Sequence, residues 1–317
     1  MPRREELTFR AGDVSLSGTL TLPDAGGSHP WVVAVPSWLP RNRDGSWDRS
    51  GHPAWFAPMA ADAPPGLLAR LADALASNGV ACLRYDPRGC GASAGTWTTS
   101  DLFTRIDDAR DAIGAMRSRS ELDLRRTAIV GHGEGAGIAL SVAIGDPAIG
   151  AVGLIGASAR SLRDVLRRGV AERSRTGRDR EHPVVSALDI GAEELIERVG
   201  RGQPTMTTHL PGGAVELALT GWEQGFNTPP LALASMLHRS VVLAHGEEDA
   251  WADPDESRIL AAVLARAGND PLLQVVDGSG HDLAEADGAI AKFADELVAR
   301  MDVRDLPAVL LAIEEMR

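Results

Sequence analysis

Lysine, cysteine and long apolar runs are all scarce in this chain, and each scarcity removes a class of function. Lys292 is the only lysine among 32 basic residues. A Walker A phosphate loop and a Schiff-base mechanism each need a placed lysine, and Lys292 falls in a predicted terminal helix. The two cysteines, Cys82 and Cys90, make no C-x-x-C pair or other metal-ligand spacing, so reduced, structural thiols are expected and no metal site. No run approaches the roughly 18 apolar residues of a membrane span. The opening Met1-Pro2-Arg3-Arg4-Glu5-Glu6 has no apolar stretch of the signal-peptide kind, so a cytoplasmic protein is expected. A basic face is lacking too: the formal charge is −12 and the pI near 5.1, which argues against nucleic acid or an anionic membrane as partner. Self-association as a homodimer is left open.

What is present is a 317-residue chain with 44% hydrophobic residues, enough to bury a large core. Val14–Leu22 alternates like a strand, and Trp31–Val35 is continuously apolar like a buried one. The pattern then repeats: helix Leu67–Ser77, strand Val80–Tyr85, helix Leu102–Met116, strand Thr127–Val130, helix Glu134–Ile144, strand Ala151–Ile155. Strands alternating with helices predict right-handed crossovers and a mostly parallel sheet. The alternation stops from Ala157 to about Leu237, where the chain is helical in parts and arginine-rich from Arg160 to Arg180. It resumes at Val241–Ala244, followed by helix Arg258–Arg266, strand Leu272–Val276 and a closing helix from about Glu285. The expected organisation is a core of residues 1–156 and 238–317, interrupted by a helical cap over 157–237.

Five residues between a predicted strand and a predicted helix, Gly131-His132-Gly133-Glu134-Gly135, stand where a serine hydrolase carries G-x-S-x-G. The middle residue is glycine. Gly131, Gly133 and Ala136 also fit a dinucleotide fingerprint, but that reading needs a carboxylate about 20 residues on, and Ala151–Gly156 holds none.

Four more stretches occur in register with this one: Pro40-Arg41-Asn42-Arg43-Asp44-Gly45, Asp86-Pro87-Arg88-Gly89-Cys90-Gly91-Ala92-Ser93, His245-Gly246-Glu247-Glu248-Asp249 and Gly278-Ser279-Gly280-His281. With all five, nearly the whole chain resembles an α/β-hydrolase-fold protein. It is similar to bacterial esterases of the dienelactone-hydrolase and acyl-peptidase type. The resemblance implies an α/β fold with a mostly parallel sheet and a cap before the acid-bearing strand. It also implies a carboxylate at Asp249 orienting an imidazole at His281, and oxyanion donors at the backbone N–H groups of Trp38 and Glu134. Two departures count against acyl-enzyme chemistry. Gly133 has no hydroxyl, and Pro36-Ser37-Trp38-Leu39 stands where the resemblance expects H-G-S-G. Ser37, Cys90 and Ser279 are the other nucleophiles near the expected site.

Tryptophans gather where such a fold places its pocket: Trp38, Trp47, Trp55, Trp97, Trp222 and Trp251. With Ser37 and His132 they suggest an apolar pocket for a planar or polycyclic molecule, although ring packing between cap and core accounts for some of them. The arginines of the cap are either a solvated face or an attractor for a carboxylate or phosphate.

The expectation is a cofactor-free enzyme in which the His281–Asp249 pair serves as a general base on a small molecule. The chemistry is hydrolysis without a covalent step, or elimination, isomerisation, cyclisation or cofactor-free oxygenation in secondary metabolism. The rivals are a conventional serine esterase or thioesterase carrying a Ser→Gly replacement, and a non-catalytic ligand-binding protein.

Overall fold

The computed structural model describes residues 2–37, 40–48, 66–176, 185, 190–210 and 213–301. An antiparallel hairpin of β1 (Arg3–Ala11) and β2 (Val14–Leu22) leads into β3 (His29–Val35), helix α1 (Leu67–Ser77) and β4 (Ala81–Tyr85). Then follow α2 (Leu102–Met116), β5 (Leu122–His132), α3 (Gly135–Gly145) and β6 (Ile149–Ile155). After the inserted segment come β9 (Ser240–Gly246), α8 (Pro254–Arg266), β10 (Leu272–Val276) and α9 (Asp287–Val298). The eight strands form one sheet in the order β1-β2-β4-β3-β5-β6-β9-β10. All neighbours from β4 to β10 pair in parallel, while β2 runs antiparallel to β1 and β4.

A continuous apolar run makes a central strand because alternate side chains enter two different cores. Trp31, Val33 and Val35 of β3 pack with Ile113 of α2, Leu140 of α3 and Leu260 of α8. Val32 and Ala34 point the other way, to Leu71 of α1 and Phe293 and Leu297 of α9. Helix starts follow local chemistry. Asp101 accepts the Thr104 N–H at 2.7 Å to begin α2, and Asp253 accepts the Asp255 N–H at 2.9 Å ahead of Pro254 to begin α8.

The segment between β6 and β9, expected as a cap helical in parts, holds strands as well as helices. It contains α4 (Leu162–Thr176), α5 (Ala192–Gly200), α6 (Thr220–Asn227) and α7 (Pro230–Ala234), and also an antiparallel pair, β7 (Thr205–Leu210) with β8 (Gly213–Ala218). Strand β7 opens on Thr205-Met206-Thr207-Thr208, β-favouring residues with no apolar run to mark them. A third apolar cluster, with Leu166, Leu195, Met206 and Phe226, packs this segment on Trp47 and Trp97 of the loops after β3 and β4. Among the described residues no helix is long and apolar enough to cross a membrane.

Candidate active site

The loops that leave the carboxyl ends of the parallel strands are tied to one another before any catalytic group is placed. Asp86, at the end of β4, accepts the Arg43 backbone N–H at 2.7 Å and its Nε and Nη2 at 3.0 and 2.7 Å, and takes the Ala92 N–H at 2.9 Å. Arg88 makes a forked contact with Asp108 of α2. Arg41 forks onto Asp282 at 2.8 and 3.3 Å and lies 4.3 Å over the Trp47 ring. The charged residues of the Pro40–Gly45 and Asp86–Ser93 stretches are therefore braces, and they hold the loop after β10 against the loop after β3.

Between these braces, Gly133 occupies the turn from β5 into α3. Its φ is +56°, a conformation that costs a side-chain-bearing residue on the order of 1–3 kcal/mol. Close approach governs its neighbour: a Cβ on Gly131 would lie 2.2 Å from the Gly135 carbonyl oxygen, so the strand and helix can meet only if that position is glycine.

His281 and Asp249 come together over this turn. His281 Nδ1 lies 2.7 Å from Asp249 Oδ2, and its Nε2 is 3.0 Å from the point a Cβ of residue 133 would occupy. Asp249 is fixed on its other oxygen by the N–H groups of Trp251 and Ala252, at 2.7 and 3.0 Å. Burial disfavours the charge on Asp249, but His281 and His245 outweigh it and hold the carboxyl far below its ordinary range. Burial likewise disfavours charging His281, yet the adjacent Asp249 carboxylate wins and its pKa stands above the ordinary histidine value.

Three further groups join this network: His245 from the motif that carries Asp249, and His132 and Ser37, which the sequence places only at the pocket. His245 Nε2 lies 3.2 Å from Asp249 Oδ2 and 2.9 Å from the Ala252 carbonyl oxygen, with Nδ1 2.6 Å from Ser257 Oγ. The ring of His132, fully buried, sits 4.6 Å from the His281 ring with Nε2 3.2 Å from the His281 carbonyl oxygen. Burial, with the neighbouring His281, drives its pKa down to about 3, so this imidazole is neutral. Ser37 Oγ donates to Glu134 Oε2 at 2.5 Å.

A cleft, partly open to solvent, rises from this floor. Gly133, Glu134 and His281 lie at its base, and Leu102, Ile138, Leu162, Phe226 and Trp251 make its walls largely apolar. Arg105 and Arg160 also border it. Arg160 is paired with Glu256, whose Oε2 also takes the Ala159 and Arg160 N–H groups at 3.0 Å.

The expected site residues thus sort by position. His281, Asp249, Gly133, Glu134 and Trp251 are gathered at the cleft, and Ser37 lies just behind Glu134. Trp47 and Trp97 are buried in the third apolar cluster and Trp251 packs on its edge, so among the described tryptophan side chains only Trp251 reaches the cleft. The pocket role expected of Trp47 and Trp97 gives way to packing, and His132 is buried beneath His281 rather than exposed to a ligand. Trp38 and Trp55 lie outside the described residues, and of Trp222 only the backbone, in α6, is described. Of the alternative nucleophiles, Cys90 is buried with its thiol pushed up to about 12 by that burial, and Ser279 donates to the Ala284 carbonyl at 3.2 Å. Ser37 Oγ is 3.4 Å from the absent Cβ of residue 133.

A mostly parallel eight-stranded sheet, flanked by helices and carrying a tight turn after β5, an acid after β9 and a histidine after β10, is an α/β-hydrolase fold. Residues 65–168, which include the turn but neither Asp249 nor His281, match the family described as serine aminopeptidase, S33. Comparison with curated protein sequences found no match. Among solved structures, the chain is similar to Est1E of Butyrivibrio proteoclasticus with ferulic acid bound, at TM-score 0.66 and 14% identity, covering 92% of this chain and 99% of that one. It is similar also to the α/β-hydrolase GrgF of Penicillium sp. sh18, at TM-score 0.62 and 18% identity over 94% and 99% of the two chains. An esterase of Pyrococcus furiosus gives TM-score 0.62 and 15% identity over 94% and 92%. At such identities the likeness is one of fold.

Proposed function

We propose that the protein is a hydrolase-fold enzyme in which His281, oriented by Asp249, acts as a general base on a small apolar molecule without a covalent enzyme intermediate. The observation that carries this reading is the 2.7 Å Nδ1–Asp249 contact with Nε2 turned to a glycine. An Nδ1–H donated to the carboxylate leaves the Nε2 lone pair to accept a proton, and at residue 133 there is no hydroxyl to supply one. The proton then comes from water or from the substrate. The apolar walls suit an apolar or planar molecule, and a base contributing 10²–10⁴-fold needs such positioning or an intrinsically reactive substrate. The test is His281→Ala and Asp249→Asn against a panel of 4-nitrophenyl esters and lactones: each change lowers kcat about 10²–10⁴-fold. Turnover unaffected by His281→Ala points to a ligand-binding protein instead.

One observation favours a second reading. The φ of +56° at Gly133 is the backbone of a turn that presents a nucleophile, as in a serine esterase whose serine has been replaced. Gly133→Ser separates the two. A large gain in ester turnover supports the esterase. No gain supports the general-base reading, since a Cβ only 3.0 Å from His281 Nε2 crowds the imidazole.

A further inference from the structure

The Ser37–Glu134 pair faces the same turn as His281 but from the other side. The point a Cβ of residue 133 would fill, one bond length from Cα, is 3.0 Å from His281 Nε2 and 3.4 Å from Ser37 Oγ, so both groups border the space just beyond that point, where a small molecule sits in reach of both. Ser37 comes from the end of β3, is 1% exposed, and donates its hydroxyl hydrogen to Glu134 Oε2 at 2.5 Å. A serine has one hydrogen to give. With that hydrogen committed to the carboxylate, Ser37 meets the space over Gly133 with lone pairs only. His281, donating through Nδ1 to Asp249, also meets it with a lone pair. Two acceptors therefore converge on one position, and the molecule that satisfies two acceptors at once is water, with two hydrogens.

We propose that Ser37 and Glu134 are positioning residues for a hydrolytic water held over Gly133, one hydrogen on His281 Nε2 and the other on Ser37 Oγ. This rests on the general-base reading of His281 and narrows it to direct hydrolysis. With both hydrogens engaged, the water turns its lone pairs toward the cleft, where the substrate's electrophilic carbon lies. The step balances as follows. The water oxygen forms a bond to that carbon as its hydrogen passes to Nε2, and the leaving group departs with its bonding electron pair and takes the proton back from the imidazolium. Ser37 keeps its proton on the hydrogen bond to Glu134 throughout. The ligand class is an activated ester or lactone, whose leaving group needs no more help than one imidazolium provides.

The experiment uses the full chain and 4-nitrophenyl acetate as probe, with a crystal structure of the unliganded protein beside it. Ser37→Ala is expected to lower kcat about 10- to 100-fold at unchanged KM, and Ser37→Thr, which restores the hydroxyl, to recover most of it. Glu134→Ala frees the Ser37 hydrogen to point at the water and lowers kcat similarly. Because Glu134 acts through Ser37, the double variant is no slower than the slower single one. The crystal shows a water within hydrogen-bond distance of both Nε2 and Oγ. If Ser37→Ala leaves kcat intact while His281→Ala abolishes it, the water-holding role fails and the base stands. If His281→Ala leaves turnover intact, the base fails with it. An acyl adduct seen by intact mass and lost in Ser37→Ala makes Ser37 a nucleophile and overturns the proposal, as does the lack of turnover or of the water.

Discussion

At the scale of single residues, the two neighbouring histidines His132 and His281 are held in opposite ways, and the signs of their pH effects differ accordingly. The folded pKa of His132, about 3, lies below its ordinary value of 6.5, so between these values the unfolded chain binds a proton that the native protein does not. Stability is complete above 6.5 and falls as the pH drops through this window, by up to about 1.4 kcal/mol per unit. His281, with its pKa raised by Asp249 against burial, contributes stability below 6.5 and loses it only above. Denaturant unfolding at pH 6.5 and 4.5 therefore shows a large drop in the parent protein and a smaller one in His132→Asn; equal drops contradict the burial argument. Catalysis has its own sign. A base works when neutral, so kcat/KM rises with pH through an apparent pKa above 6.5. In Asp249→Asn the remaining burial moves that limb to lower pH while the plateau falls. Of this site, Asp249 and His281 were legible because each sits in a short motif at a strand end. His132 and Ser37 are expected from sequence only at the pocket, and His245 only as part of the Asp249 motif; their contacts come from strands that meet only in the folded sheet.

At the scale of single elements, helices are legible where independent local signals agree. Leu67–Ser77 and Leu102–Met116 are helices over those residues; Asn78-Gly79 follows the first as a stop, and the Asp101 side chain caps the second. Strand β5 extends from Leu122, well before the apolar run at Thr127, because its polar start pairs with β3 at His29. The β7–β8 pair went unread for lack of an apolar run. Loops, by contrast, are set by charge. Asp86 is 2% exposed and Arg43 13%, so Asp86→Ala leaves the Arg43 guanidinium to Glu6 and Thr19 and takes the acceptor from the Arg43 and Ala92 N–H groups, at a cost of about 1–3 kcal/mol. Asp73→Ala breaks the exposed pair with Arg4, both about half exposed, and costs about 0–1 kcal/mol. Thermal unfolding of the two variants separates these values; equal shifts in Tm contradict the bracing role of Asp86.

At the scale of the whole molecule, the segment between β6 and β9 is joined to the core by apolar packing and also walls the cleft, through Leu162 and Phe226. Leu195, fully buried in that cluster, is expected to cost about 2–5 kcal/mol when cut to alanine. The same change raises KM more than it lowers kcat, because it loosens a wall and leaves the His281–Asp249 pair in place. The proposed chemistry depends on a proton-accepting imidazole over a residue that cannot be acylated. Pre-steady-state turnover of 4-nitrophenyl acetate, with intact mass recorded in the same samples, tests this most directly. Release of 4-nitrophenol with no initial burst, no acylated protein and loss of the rate in His281→Ala is the predicted result; a burst with an acyl group on the chain would contradict it.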